Sequence, residues 1–152
     1  MKTLKFLMAL VITLTSFTLN CYSQWPDEPN DTYSNGNKTT YYYYTGVFSP
    51  DLPGVDEPVT GSAEAWWTVS NIKAKQHELV KGKYVGDVTG TIYYTSNVTN
   101  YWFIDGKLIK FSQTLCIEDE DGKVYYTSHG NMYIDFTDGI PFHMNFFDST
   151  TD

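Results

Sequence analysis

The chain of 152 residues carries 18 aspartate and glutamate residues against 10 lysines and no arginine, which gives a net charge of −8 at pH 7. This length is typical of one domain. An acidic chain without arginine has little capacity to neutralise phosphates or to grip them through two parallel hydrogen bonds. The composition therefore argues against nucleic acid and anionic membranes as partners.

The first 23 residues have the layout of a secretory signal peptide. Two lysines come first, residues 6–14 are mostly apolar, and the small side chains of Cys21 and Ser23 suit cleavage after Ser23. We therefore predict an exported protein, secreted or periplasmic, and no transmembrane segment, because the apolar run is short and rich in threonine. A lipid anchor on Cys21 is the less favoured alternative, since Asn20 is larger than a lipoprotein cleavage site usually allows.

Cleavage at this point would remove two lysines and no acid, so the net charge would change from −8 to −10. Cys116 would then be the only cysteine, and no intrachain disulfide would be possible. We interpret this thiol as a small packed side chain rather than a redox group. Stability must then come from burial, which the abundant aromatic side chains can supply.

The rest of the chain divides into a tether and one β domain. Residues 24–39 are polar and rich in turn formers, which predicts a flexible tether. Residues 40–152 contain alternating apolar and polar runs separated by glycine and proline, a pattern typical of strands. The proline-rich residues 49–61 predict a long loop that serves as a lid or a binding edge. Residues 71–82 fit a short helix or, as we favour, a strand pair that turns at Gly82.

The clearest strand covers residues 123–137, with apolar side chains at even positions, polar and tyrosine side chains at odd positions, and Asp-Gly on both sides. Turn length fixes how such strands pair, and a slip of one residue exchanges their faces. Two-residue turns at the two earlier Asp-Gly pairs and a three-residue turn at the last one keep the apolar faces together. The predicted pairs are Trp102–Ile109, Ile117–Tyr126, Met132–Met144, Ile134–Phe142 and Tyr133–His143.

These elements predict an all-β fold, an antiparallel up-and-down meander curved into a barrel or half-barrel like a calyx. A two-sheet sandwich is the alternative. The calyx is an analogy at the level of the fold, because the chain lacks the Gly-x-Trp that lipocalins carry near the first strand. No family is assigned.

With the predicted registers, small and polar side chains interrupt the apolar inner face and are bracketed by aromatic residues. Such a lining suits a small ligand, so the leading hypothesis is a non-enzymatic domain that holds a small, largely apolar molecule inside the sheet. The competing interpretation is a bend in the sheet at which these residues are satisfied locally. The predicted lining consists of Tyr94, Asn100, Trp102, Gln113, Tyr126 and Ser128.

The opposite face offers a second hypothesis, a carbohydrate- or protein-binding surface in which tyrosine rings stack on sugars beside amide and hydroxyl groups. A solvated sheet face of good strand formers is the competing interpretation. The predicted surface residues are Tyr101, Lys110, Asn131, Tyr133 and His143.

Signals of catalysis and metal binding are weak. His129 and His143 share a face but lie roughly 13 Å apart along the strands, too far to share a zinc ion. The acidic residues 118–121 lack the spaced ligands of a calcium loop. No nucleophile elbow or catalytic triad is evident, so we predict no metal and no cofactor, and keep an enzyme of unrecognised type as the third hypothesis.

Overall fold

A computed structural model describes residues 25–70, 75–104, 107–133 and 143–150, with the side chains of these ranges except at 107–108 and 143–150. Within them the chain forms an all-β antiparallel meander, as predicted, and no helix. All described strands belong to one sheet in chain order, so the sandwich is not observed, and the sheet is not closed into a barrel. The strands are β1 (Asp31–Asn35), β2 (Lys38–Tyr44), β3 (Val59–Ser70), β4 (Lys75–Gly86), β5 (Ile92–Ile104), β6 (Lys107–Asp119), β7 (Val124–Tyr133) and β8 (His143–Thr150).

The buried side chains lie on one face of the sheet, which we call the core face. Because side chains alternate along a strand and pair across it, this face takes odd positions of β3, β5 and β6 and even positions of β4 and β7. Ile117 and Val59 are each 1% exposed. Tyr84 and Tyr93 pack with Val59 into the main cluster.

The long loop at residues 45–58 covers one end of the core face. Phe48, Leu52 and Val55 pack against the main cluster, and the Phe48 ring meets Tyr84 edge-on at a centroid distance of 5.9 Å. The loop predicted at residues 49–61 is present but lies at 45–58, since residues 59–61 begin β3, and it completes the hydrophobic core. Apolar burial of this kind is the main force that holds a single sheet in shape.

Glu57 fastens this loop to the turn between β4 and β5. Its carboxylate accepts hydrogen bonds from the Val88 and Thr89 amides at 3.0 and 2.9 Å, from the Thr89 hydroxyl at 2.6 Å and from the Tyr93 hydroxyl at 2.8 Å. These donors, the Thr89 hydroxyl first among them, lower the pKa of Glu57 to about 2. Four hydrogen bonds to the Glu57 carboxylate thus fix the end of the loop.

One register differs from the prediction and changes the faces of the sheet. Ile104 pairs with Lys107 as expected, but the register then shifts, and Trp102 pairs with Lys110 instead of Ile109. A β-bulge at Ile109 inserts one extra residue into β6. The predicted Trp102–Ile109 pair is therefore wrong, and the preceding residues of β5 meet the opposite face of β6.

The last hairpin pairs as predicted where the structure describes it, and the hairpin before it does so only in part. Ile117 lies opposite Tyr126 as predicted, but the register then shifts and Glu118 pairs with Val124. Because the Asp119 amide donates to the Lys123 carbonyl, three residues form the turn, and the predicted two-residue turn at Asp121-Gly122 is wrong. Met132 lies opposite Met144, and Tyr133 lies opposite His143. The predicted pair Ile134–Phe142 lies outside the described residues.

Two segments predicted from composition have more strand than expected. Residues 31–35, placed in the flexible tether, form β1, which pairs with β2 across a two-residue turn at Gly36. The strand pair predicted to turn at Gly82 is instead the continuous β4, while residues 71–74 lie outside the described part. In β4 the Tyr84 ring covers the backbone of Gly82, so this glycine supports close packing rather than a turn.

Candidate functional site

Among the side chains that the structure describes, the face opposite the core face carries five lysines, and we call it the lysine face. Three acidic residues share its strand positions in β1–β7, namely Asp31, Glu64 and Glu118. The face is therefore locally positive on a chain whose net charge is −8. The five lysines are Lys38, Lys75, Lys81, Lys83 and Lys110.

Trp102 stands near the end of β5 between two of these lysines. Its register partners are Lys75 on β4 and Lys110 on β6. The two Nζ atoms lie 5.9 and 4.9 Å from the indole ring centroid, within the range of cation–π attraction. The half-buried indole thus holds an ammonium group on each side.

This tryptophan forms one wall of a cavity of about 340 Å³ that opens on the lysine face. The size is within the usual range of small-ligand sites, and lysine, hydroxyl, amide and imidazole groups surround the single indole. The cavity is lined by seven residues of the lysine face, Lys38, Thr68, Ser70, Lys75, His77, Asn100 and Trp102, and by two residues whose register places them on the core face, Gln76 and Tyr101.

Two neighbouring rows of side chains cross the strands at this site. The polar row holds hydroxyl, imidazole and amide groups, and the aromatic row holds lysines and aromatic rings. The polar row is Thr40, Thr68, His77, Asn100, Ser112 and Asn131. The aromatic row is Lys38, Ser70, Lys75, Trp102, Lys110 and Tyr133, in which Ser70 and Lys75 lie one position beyond the pair Val69–Gln76 that ends the pairing of β3 with β4.

Hydrogen bonds order the side chains of the polar row. His77 Nδ1 lies 2.9 Å from Asn100 Oδ1, and the Thr40 and Thr68 hydroxyls are 2.9 Å apart. Asn131 Nδ2 donates to His129 Nε2 at 2.9 Å. These contacts hold the groups in place, and amide, imidazole and hydroxyl groups can each form more hydrogen bonds than these contacts use.

The structure divides the six residues predicted to line an internal cavity between the two faces. Tyr94, Asn100 and Trp102 lie on the lysine face, because the bulge at Ile109 exchanges the faces of β5 relative to β6. The expectation that all six share one face is therefore wrong. The remaining three, on the core face, are Gln113, Tyr126 and Ser128.

Most of the predicted surface residues share the lysine face. Lys110 lies opposite Tyr133, which is 50% exposed, and Asn131 lies two residues away on β7. His143 is the register partner of Tyr133. Tyr101 is the exception, for it lies on the core face, where its ring packs against Phe111 at 5.5 Å.

The core face has a polar cluster of its own beyond the hydrophobic end. Tyr101 donates to the Glu78 carboxylate at 3.0 Å, and Gln113 donates to Asn97 at 3.1 Å. Thr99 lies between them at 1% exposure. Ordered polar groups on a half-covered face are also able to bind a ligand, although their mutual hydrogen bonds satisfy much of their capacity.

Sequence reasoning missed Lys75 and His77 because it left residues 71–82 between a helix and a strand pair. The alternation of Lys75, His77 and Leu79 with Gln76 and Glu78 was the signal that fitted a single strand. Lys38 was missed because it was assigned to the tether. In the structure Lys38 belongs to β2, and Lys75 and His77 belong to β4, so that all three line the same cavity as Trp102.

Comparison with models of protein families, with curated proteins and with solved structures finds no match for this chain. Within the described ranges, no three or more His, Cys, Asp or Glu side chains are grouped so as to hold a metal ion. The same ranges contain no helix of the length and apolarity needed to cross a membrane.

Proposed function

We propose that the protein is an exported carbohydrate-binding domain that holds its ligand on the lysine face. The observation that supports this most is Trp102 in a groove of about 340 Å³ with ordered amide, imidazole and hydroxyl groups beside it. An indole offers apolar surface to the C–H groups of a sugar ring, and neighbouring polar groups can meet the sugar hydroxyls. Export rests on the predicted signal peptide.

The dimensions of the two rows favour an extended ligand over a single sugar. Each row crosses from β2 to β7, and neighbouring strands are about 4.8 Å apart, so each row extends roughly 24 Å. Polar groups recur at every strand along one row, with aromatic rings on the other. A linear oligosaccharide that lies across the strands would meet both rows along its length.

The open sheet and the divided set of predicted residues count against an enclosed apolar ligand. A ligand on the core face stays the second candidate, because Gln113 and Ser128 lie on that face, as does the ordered pair Tyr101 and Glu78. If that face bound a small molecule, Ser128→Phe would abolish ligand-induced thermal stabilisation while the protein stayed folded. Unchanged stabilisation would exclude this candidate.

The test of the surface site is affinity electrophoresis in gels that contain neutral or acidic polysaccharides. Trp102→Ala should reduce retention, and the binding free energy derived from it should weaken by about 2 kcal/mol or more, as for a residue that dominates an interface. Tyr94→Ala is the matched control, because Tyr94 is also an aromatic residue of β5 on the lysine face with a lysine amine 5.9 Å from its ring, that of Lys83. Tyr94 lies eight residues from Trp102, about 27 Å along the strand. Equal retention of both variants would refute the site.

A further inference from the structure

We propose that the polysaccharide is anionic, with a carboxylate or sulfate on every second sugar. This inference rests on the proposed carbohydrate-binding function and adds the chemical class of the ligand. It derives from the spacing and the surroundings of the lysines in the aromatic row.

The lysines of the aromatic row recur on every second strand. Lys38 is on β2, Lys75 on β4 and Lys110 on β6. Two strand spacings separate neighbouring lysines, a repeat of about 9.6 Å. Two sugar rings of an extended polysaccharide cover a comparable length, so an acidic group on alternate sugars would meet one lysine after another.

The surroundings of these lysines leave their charges available. All three are exposed at the surface. The residues directly opposite Lys75 and Lys110 are Trp102 and Tyr133, not acids. Contact with the indole orients the two ammonium groups without neutralising them, because the ring supplies only a quadrupole.

The intervening residues fit the sugars that separate the acidic groups. Ser70 lies between the first two lysines, and Trp102 lies between the second and the third. A neutral sugar placed there would meet a hydroxyl or an aromatic surface. The row thus alternates cationic and neutral contacts.

The overall charge of the protein makes this placement informative. A chain with a net charge of −8 repels polyanions at long range, so a nonspecific attraction is not expected. Binding should then depend on short-range contacts in the row and should weaken as salt is added. This separates the proposal from a general affinity for acidic polymers.

The experiment measures dissociation constants of the full chain by titration calorimetry at low and physiological salt. The probes are hyaluronan, which carries a carboxylate on alternate sugars, a neutral glucan, and single-stranded DNA. Hyaluronan should bind more tightly than the other two. Lys75→Gln and Lys110→Gln should each weaken its binding about two- to fivefold.

The control variants are Lys81→Gln and Lys83→Gln, which remove the same charge from the same face, on the strand that carries Lys75, but outside the aromatic row. They should leave hyaluronan binding unchanged. Equal losses from control and test variants would overturn the proposal, as would equal binding of DNA. If the glucan binds as well as hyaluronan and still needs Trp102, the carbohydrate site holds and the anionic class fails. If no polysaccharide binds, both fail.

Discussion

Gly82 and Tyr84 provide the sharpest test of how this sheet is packed. Both lie on the core face of β4, and Tyr84 is 3% exposed. A Cβ atom at Gly82 would overlap the outer part of the Tyr84 ring and would lie 2.6 Å from the Thr95 hydroxyl. The hydroxyl can rotate away, but the ring is held between the sheet and Phe48. Gly82→Ala should therefore destabilise the fold.

The expected changes in the free energy of unfolding form a double-mutant cycle. Overpacking by Gly82→Ala should cost about 1–3 kcal/mol, and Tyr84→Ala should cost about 3–5 kcal/mol. With the ring removed, the methyl group added by Gly82→Ala has room, and the lower entropy of the unfolded chain should stabilise the protein by about 0.4–1 kcal/mol. The double variant should thus be more stable than Tyr84→Ala alone, a reversal of sign.

The assay is urea unfolding of the four proteins, followed by fluorescence and circular dichroism, with a common m-value as the check on two-state behaviour. Gly90→Ala is the control, because Gly90 has φ +76° and no atom within 4 Å of its Cβ position. Its cost comes from the backbone and should add to that of Tyr84→Ala. Additive costs for Gly82 and Tyr84 would refute the proposed ring contact.

Three further predictions follow from burial and charge. Hydrogen bonds lower the pKa of Glu57 from 4.5 to about 2, so its contribution to stability should be full above pH 4.5 and lost as the pH falls through about 2. Acid titration of the folded protein should show this dependence, and Glu57→Gln should remove it. Ile117→Ala should lower the free energy of unfolding, measured in urea, by about 2–5 kcal/mol, since the side chain is 1% exposed. Ile104→Ala is the control and should lower it by less than about 0.5 kcal/mol, because that side chain is 58% exposed. Similar losses in the two variants would contradict the burial of Ile117. Burial and the nearby Glu118 raise the pKa of Cys116, so iodoacetamide should alkylate it more slowly at pH 8 than it alkylates a free cysteine; a faster reaction would contradict this environment.

The parts of the fold that sequence reasoning reached are those in which turn residues and alternation agree. The pairs Ile104–Lys107, Ile117–Tyr126 and Met132–Met144 follow from such local signals. The bulge at Ile109 has no comparable signal, because an extra residue in a strand depends on its partner strand. One bulge was enough to assign Trp102 to the wrong face.

Sequence reasoning missed two strands for a different physical reason. β1 has only exposed polar and tyrosine residues, so burial gives it no apolar pattern to detect. In β4 we interpreted Gly82 as a turn residue. Its role is to leave room for the Tyr84 ring, and this contact cannot be read from composition. Both errors affected the candidate site. Lys38 lies directly after the missed strand β1, and Lys75 is the first residue of β4.

The strictly sequential strand order has a consequence for how the protein acquires its shape. Among the described residues each strand contacts only its neighbours in the chain, so every contact between strands closes a hairpin. Pairing of the strands can therefore start at any hairpin and spread outward one strand at a time, whereas the loop at residues 45–58 requires a longer closure to reach Tyr84 and Tyr93. Amide hydrogen exchange should record this as protection that is greatest in the middle strands β4 and β5 and declines toward β1.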